Sequence, residues 1–98
     1  MIVRIVSLQF EAANAETGKQ LLKNVASRVR ETEGCSHLQI LFDVHHSGKV
    51  FTLSQWESLA ALNKYRKSEF FVNFWSNMRP LLEKEAIARS TYQEMIFP

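Results

Sequence analysis

One cysteine, Cys35, leaves no partner for an intrachain disulfide. That fits a reducing, cytoplasmic setting. The three glycines, Gly18, Gly34 and Gly48, stand alone, so no glycine-rich phosphate loop can form and no nicotinamide or flavin fingerprint is present. No apolar run approaches the length that spans a bilayer. The apolar segment Met1 to Phe10 is interrupted by Arg4, and no convincing small-residue cleavage site follows it. It reads as a strand rather than a signal peptide. Charge of one sign is also lacking. Twelve Lys and Arg oppose ten Asp and Glu, for a net charge of +2. The densest basic cluster, Lys64-Tyr65-Arg66-Lys67, reads as a solvated helix face. Neither nucleic acid nor a membrane is expected as a partner.

Apolar side chains are plentiful. They make up 46% of a 98-residue chain, and aromatic rings make up 11%. A single domain over residues 1–98 is the default at this length. So small a domain has little interior, so a second subunit is a natural place for the excess.

Ile2 to Phe10 is β-branched and apolar, as a strand should be. Ile2, Val6, Leu8 and Phe10 share one face; Val3 and Ile5 lie on the other. A sheet buried on both faces follows. Asn14 or Thr17 can cap the next element. Leu21, Leu22, Val25, Ala26 and Val29 then make one stripe on a helix of about four turns. Gly34 sits past its basic last turn, as a left-handed capping glycine would. Ser36 to Val44 is a second strand, with Leu38, Ile40, Phe42 and Val44 opposite His37, Gln39 and Asp43. His45-His46-Ser47-Gly48 is a hairpin turn, and Lys49 to Trp56 is the returning strand. Ser58 to Lys64 predicts a short helix. Ser68 caps another, on which Phe71, Phe74, Trp75 and Met78 recur at helical spacing. Pro80 interrupts that helix. Ile87 to Ile96 predicts a last strand. The order β-α-β-β-α-β is a ferredoxin-like α+β subunit, an antiparallel four-stranded sheet with helices on one face. The other face then needs a cover, and sheet-to-sheet packing in a homodimer supplies one.

Few residues carry obvious chemistry. His37, His45 and His46 have no second cluster of Cys, Asp or Glu at ligand spacing, so no metal site is predicted. Cys35 and His37, at i and i+2 of a regular strand, share a face but stand about 7 Å apart, too far for a thiolate pair. Cys35 reads as a packed thiol. The aromatic set remains: Trp56 at a strand end, Tyr65, then Phe70, Phe71, Phe74 and Trp75. Each ring is a core candidate. Together they outline a pocket between helices and sheet, to which Tyr65, Trp75, His37 and Ser7 would add polar groups.

Read together, Glu33-Gly34-Cys35, Trp56 and Ala61-Leu62-Asn63-Lys64-Tyr65-Arg66-Lys67-Ser68-Glu69-Phe70-Phe71 resemble the antibiotic-biosynthesis-monooxygenase family. The likeness runs from Val3 to about Met95. It implies a homodimer whose sheets form a joint α+β barrel. It also implies oxidation of quinols or anthrone-like polyketides by oxygen without bound metal or flavin, the substrate supplying its own electrons. Tyr65 stands where the family commonly has His. Trp75 and Ser7 stand where the haem-degrading branch has an iron-ligating His and an oxygen-site Asn, so haem degradation is not expected.

The leading expectation is a cofactor-independent monooxygenase for a small aromatic or quinone-like compound. Tyr65 would orient or deprotonate the substrate and His37 would transfer protons. Ser7, Trp56, Phe71, Phe74 and Trp75 would bind it. The alternatives are a non-catalytic dimeric module that binds a small ligand, an isomerase of the autoinducer-modifying branch, and a filled core with no cavity.

Overall fold

A computed structural model describes residues 1–98. Four strands, β1 (Ile2–Gln9), β2 (Cys35–Phe42), β3 (Lys49–Trp56) and β4 (Ile87–Tyr92), form one antiparallel sheet in the order β2-β3-β1-β4. Three helices, α1 (Ala15–Arg30), α2 (Leu59–Arg66) and α3 (Glu69–Met78), join them. This is the split β-α-β arrangement expected of a ferredoxin-like α+β fold. No helix is long and apolar enough to cross a membrane.

The strand periodicity translates directly into burial. Even-numbered residues of β1 point at the helices, and Ile2, Val6, Leu8 and Phe10 are buried there. Their neighbours Val50 and Trp56 on β3 are fully enclosed. Two clusters form on this face. Val6, Leu8, Phe10, Leu22, Val50 and Met78 fill one; Ile2, Val29, Cys35, Trp56, Leu62 and Tyr65 fill the other. Gly18 of α1 lets the Phe10 ring lie against the helix, because a Cβ there would collide with it.

Several local details depart from expectation. Asn14 stands at the start of α1 but makes no side-chain cap, because a 3-10 turn at Ala12–Asn14 leads the chain in. Glu31 closes α1, and Gly34, at φ 88°, completes the turn three residues later. β2 ends at Phe42 instead of running on to Val44. The Asp43 carboxylate accepts from the backbone N–H groups of His45 and His46 at 3.0 and 2.8 Å, which folds the chain into its turn and leaves Val44 exposed. A 3-10 turn at Arg79–Leu81 carries Pro80 and ends the α3 region. β4 stops at Tyr92, so Met95, Ile96 and Phe97 lie exposed beyond the sheet.

Register decides which side chains can meet. A bulge between Cys35 and His37 shifts the β2–β3 pairing by one residue. Cys35 therefore opposes Trp56 on the helix-covered face, whereas His37 opposes Gln55 on the other. The shared face that regular alternation gives these two residues does not exist.

Candidate functional site

The aromatic residues are brought together by two short helices and one serine. Ser58 caps α2 by accepting from the Ala61 N–H at 3.1 Å. Ser68 caps α3 by accepting from the Phe71 N–H at 3.1 Å, and its hydroxyl donates to the Tyr65 carbonyl at 2.6 Å. One side chain thus ties the end of α2, with Tyr65, to the start of α3, with Phe71. The rings then follow in series. Trp56 stacks on Tyr65 with centroids 4.8 Å apart. Tyr65 meets the edge of Phe71 at 5.1 Å, and Phe71 meets Trp75 at 6.1 Å. Such pairs contribute about 0.5–1.5 kcal/mol each beyond burial.

Between these rings and the sheet lies a cavity of about 60 Å³. Phe71, Phe74, Trp75 and Tyr65 wall one side; Val6, Leu8 and Ile40 line the sheet side. Twelve of the fifteen lining residues are hydrophobic, and the other three are Arg4, Thr52 and Ser54. The volume holds a few waters, but a ring the size of benzene needs about 150 Å³. A ring can therefore enter only if the wall opens. Met78, at the far end, is the only buried residue of α3, while Phe71, Phe74 and Trp75 remain half-buried.

Electrostatics follow from enclosure. Burial pushes the Tyr65 phenol up to about 12, and the nearby positive charge of Arg4 only partly opposes it. Tyr65 is thus a hydrogen-bond donor at neutral pH. Burial also raises the Cys35 thiol, which the His37 backbone and the Arg30 charge only partly oppose. Cys35 stays a thiol packed in the interior. No three His, Cys, Asp or Glu side chains come together.

Of the residues picked from sequence, Tyr65, Phe71, Phe74 and Trp75 meet on the cavity wall. Trp56 does not reach the cavity. It backs Tyr65, and its indole N–H donates to the Ser54 hydroxyl at 3.0 Å. Ser7 and His37 lie elsewhere. Ser7 pairs with Phe51 and Ile87, and His37 with Gln55, all on the opposite face of the sheet. A pleated sheet separates them from Tyr65, so they cannot act in the same cavity of one subunit.

All three polar lining residues, Arg4, Thr52 and Ser54, escaped the sequence reading. Arg4 is 7% exposed, and Ser54 is buried beside it, paired with it across β1 and β3. Arg4 registered only as a break in an apolar segment. The available signal was parity: it shares the face of Ile2, Val6 and Leu8, where a charge is out of place.

Residues 1–76 match the family model described as antibiotic biosynthesis monooxygenase. Among solved structures, a candidate antibiotic biosynthesis monooxygenase from Deinococcus radiodurans is similar at TM-score 0.92 and 17% identity, over 100% of this chain and 97% of that one. The Rv0793 protein of Mycobacterium tuberculosis aligns at 0.90 and 16% identity, over 97% and 96% of the two chains. PA3566 of Pseudomonas aeruginosa aligns at 0.86 and 22%, over 96% and 94%. At these identities the likeness establishes the fold. No curated protein matches the sequence.

Proposed function

The chain belongs to the antibiotic biosynthesis monooxygenase family, and from that premise we propose that it oxidises a small aromatic, quinol or polyketide-type ring compound with molecular oxygen. The observation that carries this reading is the aromatic-walled cavity between α3 and the sheet, with the Tyr65 phenol among its few polar groups. For an anthrone-type ring, a methylene becomes a carbonyl. One oxygen atom enters the product, the other leaves as water with the two methylene hydrogens, and the substrate supplies all four electrons. The protein's tasks are to hold the ring, orient its oxygen and exclude water. Tyr65, kept protonated by burial, donates a hydrogen bond to a substrate oxygen and does not serve as the base.

The test is oxygen uptake by purified protein over a panel of hydroquinones and anthrones, against a protein-free control. Uptake above autoxidation with an oxygenated product is expected, and Tyr65→Phe should lower it about tenfold, the loss of one orienting hydrogen bond. Wild-type turnover by Tyr65→Phe would take Tyr65 out of the reaction. No uptake across the panel favours a second reading, binding without turnover. That reading has its own support: no His, Asp, Glu, Lys or Cys lines the cavity to accept a proton.

The working unit is proposed to be a homodimer that joins two sheets into an α+β barrel. The open face of the sheet supports it, with Ile5 40% and Ile87 51% exposed and Leu41 likewise uncovered. Sedimentation should give a dimer at micromolar concentration, and Leu53→Arg should dissociate it. A wild-type monomer under those conditions ends the dimer reading.

A further inference from the structure

Arg4 is a charge in the wrong place for a structural residue. It projects from the centre of the sheet, opposite Ser54 on β3 and Ser90 on β4, into the helix-covered interior. A guanidinium keeps its charge at any ordinary pH, so when buried it needs a partner. The protein provides none. The arginines that donate within the chain are Arg30, to the Cys35 carbonyl, and Arg89, to the Ala88 carbonyl. Arg4 donates to no protein acceptor, and its guanidinium nitrogens keep only a residual contact with solvent. The ionisable groups that reach it are a second cation, Arg66, and the Tyr65 phenol, which is neutral at ordinary pH. No carboxylate lines the cavity, yet Arg4 lines it together with Tyr65 and Ser54. The Ser54 hydroxyl already accepts from Trp56, which leaves its own proton to donate. Donors therefore outnumber acceptors on one side of an otherwise apolar space.

We propose that this cavity selects an aromatic anion: a small ring whose carboxylate or ionised ring oxygen meets the Arg4 guanidinium, with the Tyr65 hydroxyl donating to the same group. A neutral ring would fill the apolar wall and leave the guanidinium unpaired in a drier site. An anion completes it, and the planar fork of arginine suits a two-oxygen acceptor. This rests on the cavity being the substrate site, as proposed above, and adds the charge state of the substrate. Where the anion is the ionised oxygen of the reacting ring itself, it also accounts for a cavity without a proton acceptor, since that ring arrives already deprotonated.

The probes are benzoate and its neutral counterpart benzyl alcohol, titrated into the full-length protein by calorimetry. Benzoate should bind at least about tenfold more tightly, which is a difference of about 1.4 kcal/mol. Arg4→Met should abolish the preference, with Arg4→Gln as a second uncharged variant should Arg4→Met fail to fold. Arg66→Met, which removes an exposed cation, should keep it. Arg4→Met should also melt at or above the wild-type temperature, because an unpaired buried charge does not hold the fold together. Equal affinity for the two probes overturns the proposal. So does a preference that survives in Arg4→Met, or binding of neither probe at millimolar concentration. A lowered melting temperature with the preference intact assigns Arg4 to packing and overturns it as well. Anion preference without oxygen uptake leaves this inference standing and removes the monooxygenase reading. Uptake with neutral quinols and no anion preference does the reverse.

Discussion

On β1, Ile2, Val6 and Leu8 are buried against helices, as is Phe10 just beyond it, while on the other face of the same strand Ile5 is 40% exposed and Val3, Ser7 and Gln9 are only half-covered. Both faces are rich in apolar side chains. What differs is the cover. The helix side of β1 and β3 is filled and stacked, and its polar exceptions, Arg4, Thr52 and Ser54, all line one cavity. The open side mixes Val3, Ile5, Phe51 and Leu53 with His37, Ser7 and Gln55. Polarity inside is therefore confined to one spot, whereas polarity outside is dispersed. A confined polar spot in an apolar enclosure is the usual form of a binding site. A dispersed, half-apolar face is the form of an interface.

The contrast is sharpest when a large side chain is removed from the covered face. Trp56→Ala takes out a fully buried ring together with its stack on Tyr65. It should cost about 3–5 kcal/mol in urea unfolding. Leu62→Ala, equally enclosed, should cost about 2–5 kcal/mol. A cost under 1 kcal/mol for both would mean that the covered face is not the packed one.

Alkaline pH probes the enclosure without a mutation. The Tyr65 phenol ionises near 10 when unfolded and at about 12 when folded. Its folded value is the higher, so burial favours the protonated form. That stability is fully present below pH 10 and is lost as pH rises from 10 through 12. The loss is on the order of 2 kcal/mol. Unfolding curves across this range should fall less steeply for Tyr65→Phe than for wild type. Identical slopes would place the phenol in water.

Ser68→Ala is subtler. It removes a cap and the hydroxyl that links α2 to α3. It should cost about 1 kcal/mol and loosen the wall formed by Phe71 and Trp75, visible as faster amide exchange in α3. Unchanged exchange would mean that the wall is held by packing alone. The smallest effect belongs to the open face. Ile5→Ala should change the stability of the isolated subunit by no more than about 0.5 kcal/mol. A large loss would show that this face is buried in the folding unit itself.

Much of the fold is legible along the chain because its causes are local. The apolar alternation of Ile2 to Phe10, the hairpin at His45 to Gly48 and the caps at Ser58 and Ser68 each involve neighbours in sequence. So does the helical spacing of Phe71, Phe74 and Trp75, which already outlined one wall of the cavity. The chain's order of elements follows from these, and with it the sheet. What tertiary structure alone decided is which groups face one another. A bulge after Cys35 sends His37 to the open face, and the register of β1 against β3 and β4 sets Ser7 there too. The same register carries Arg4 inward to the cavity beneath Tyr65. Parity along a strand can be counted from its residues, but one extra residue inverts it. Which face the helices cover is settled only when distant segments pack.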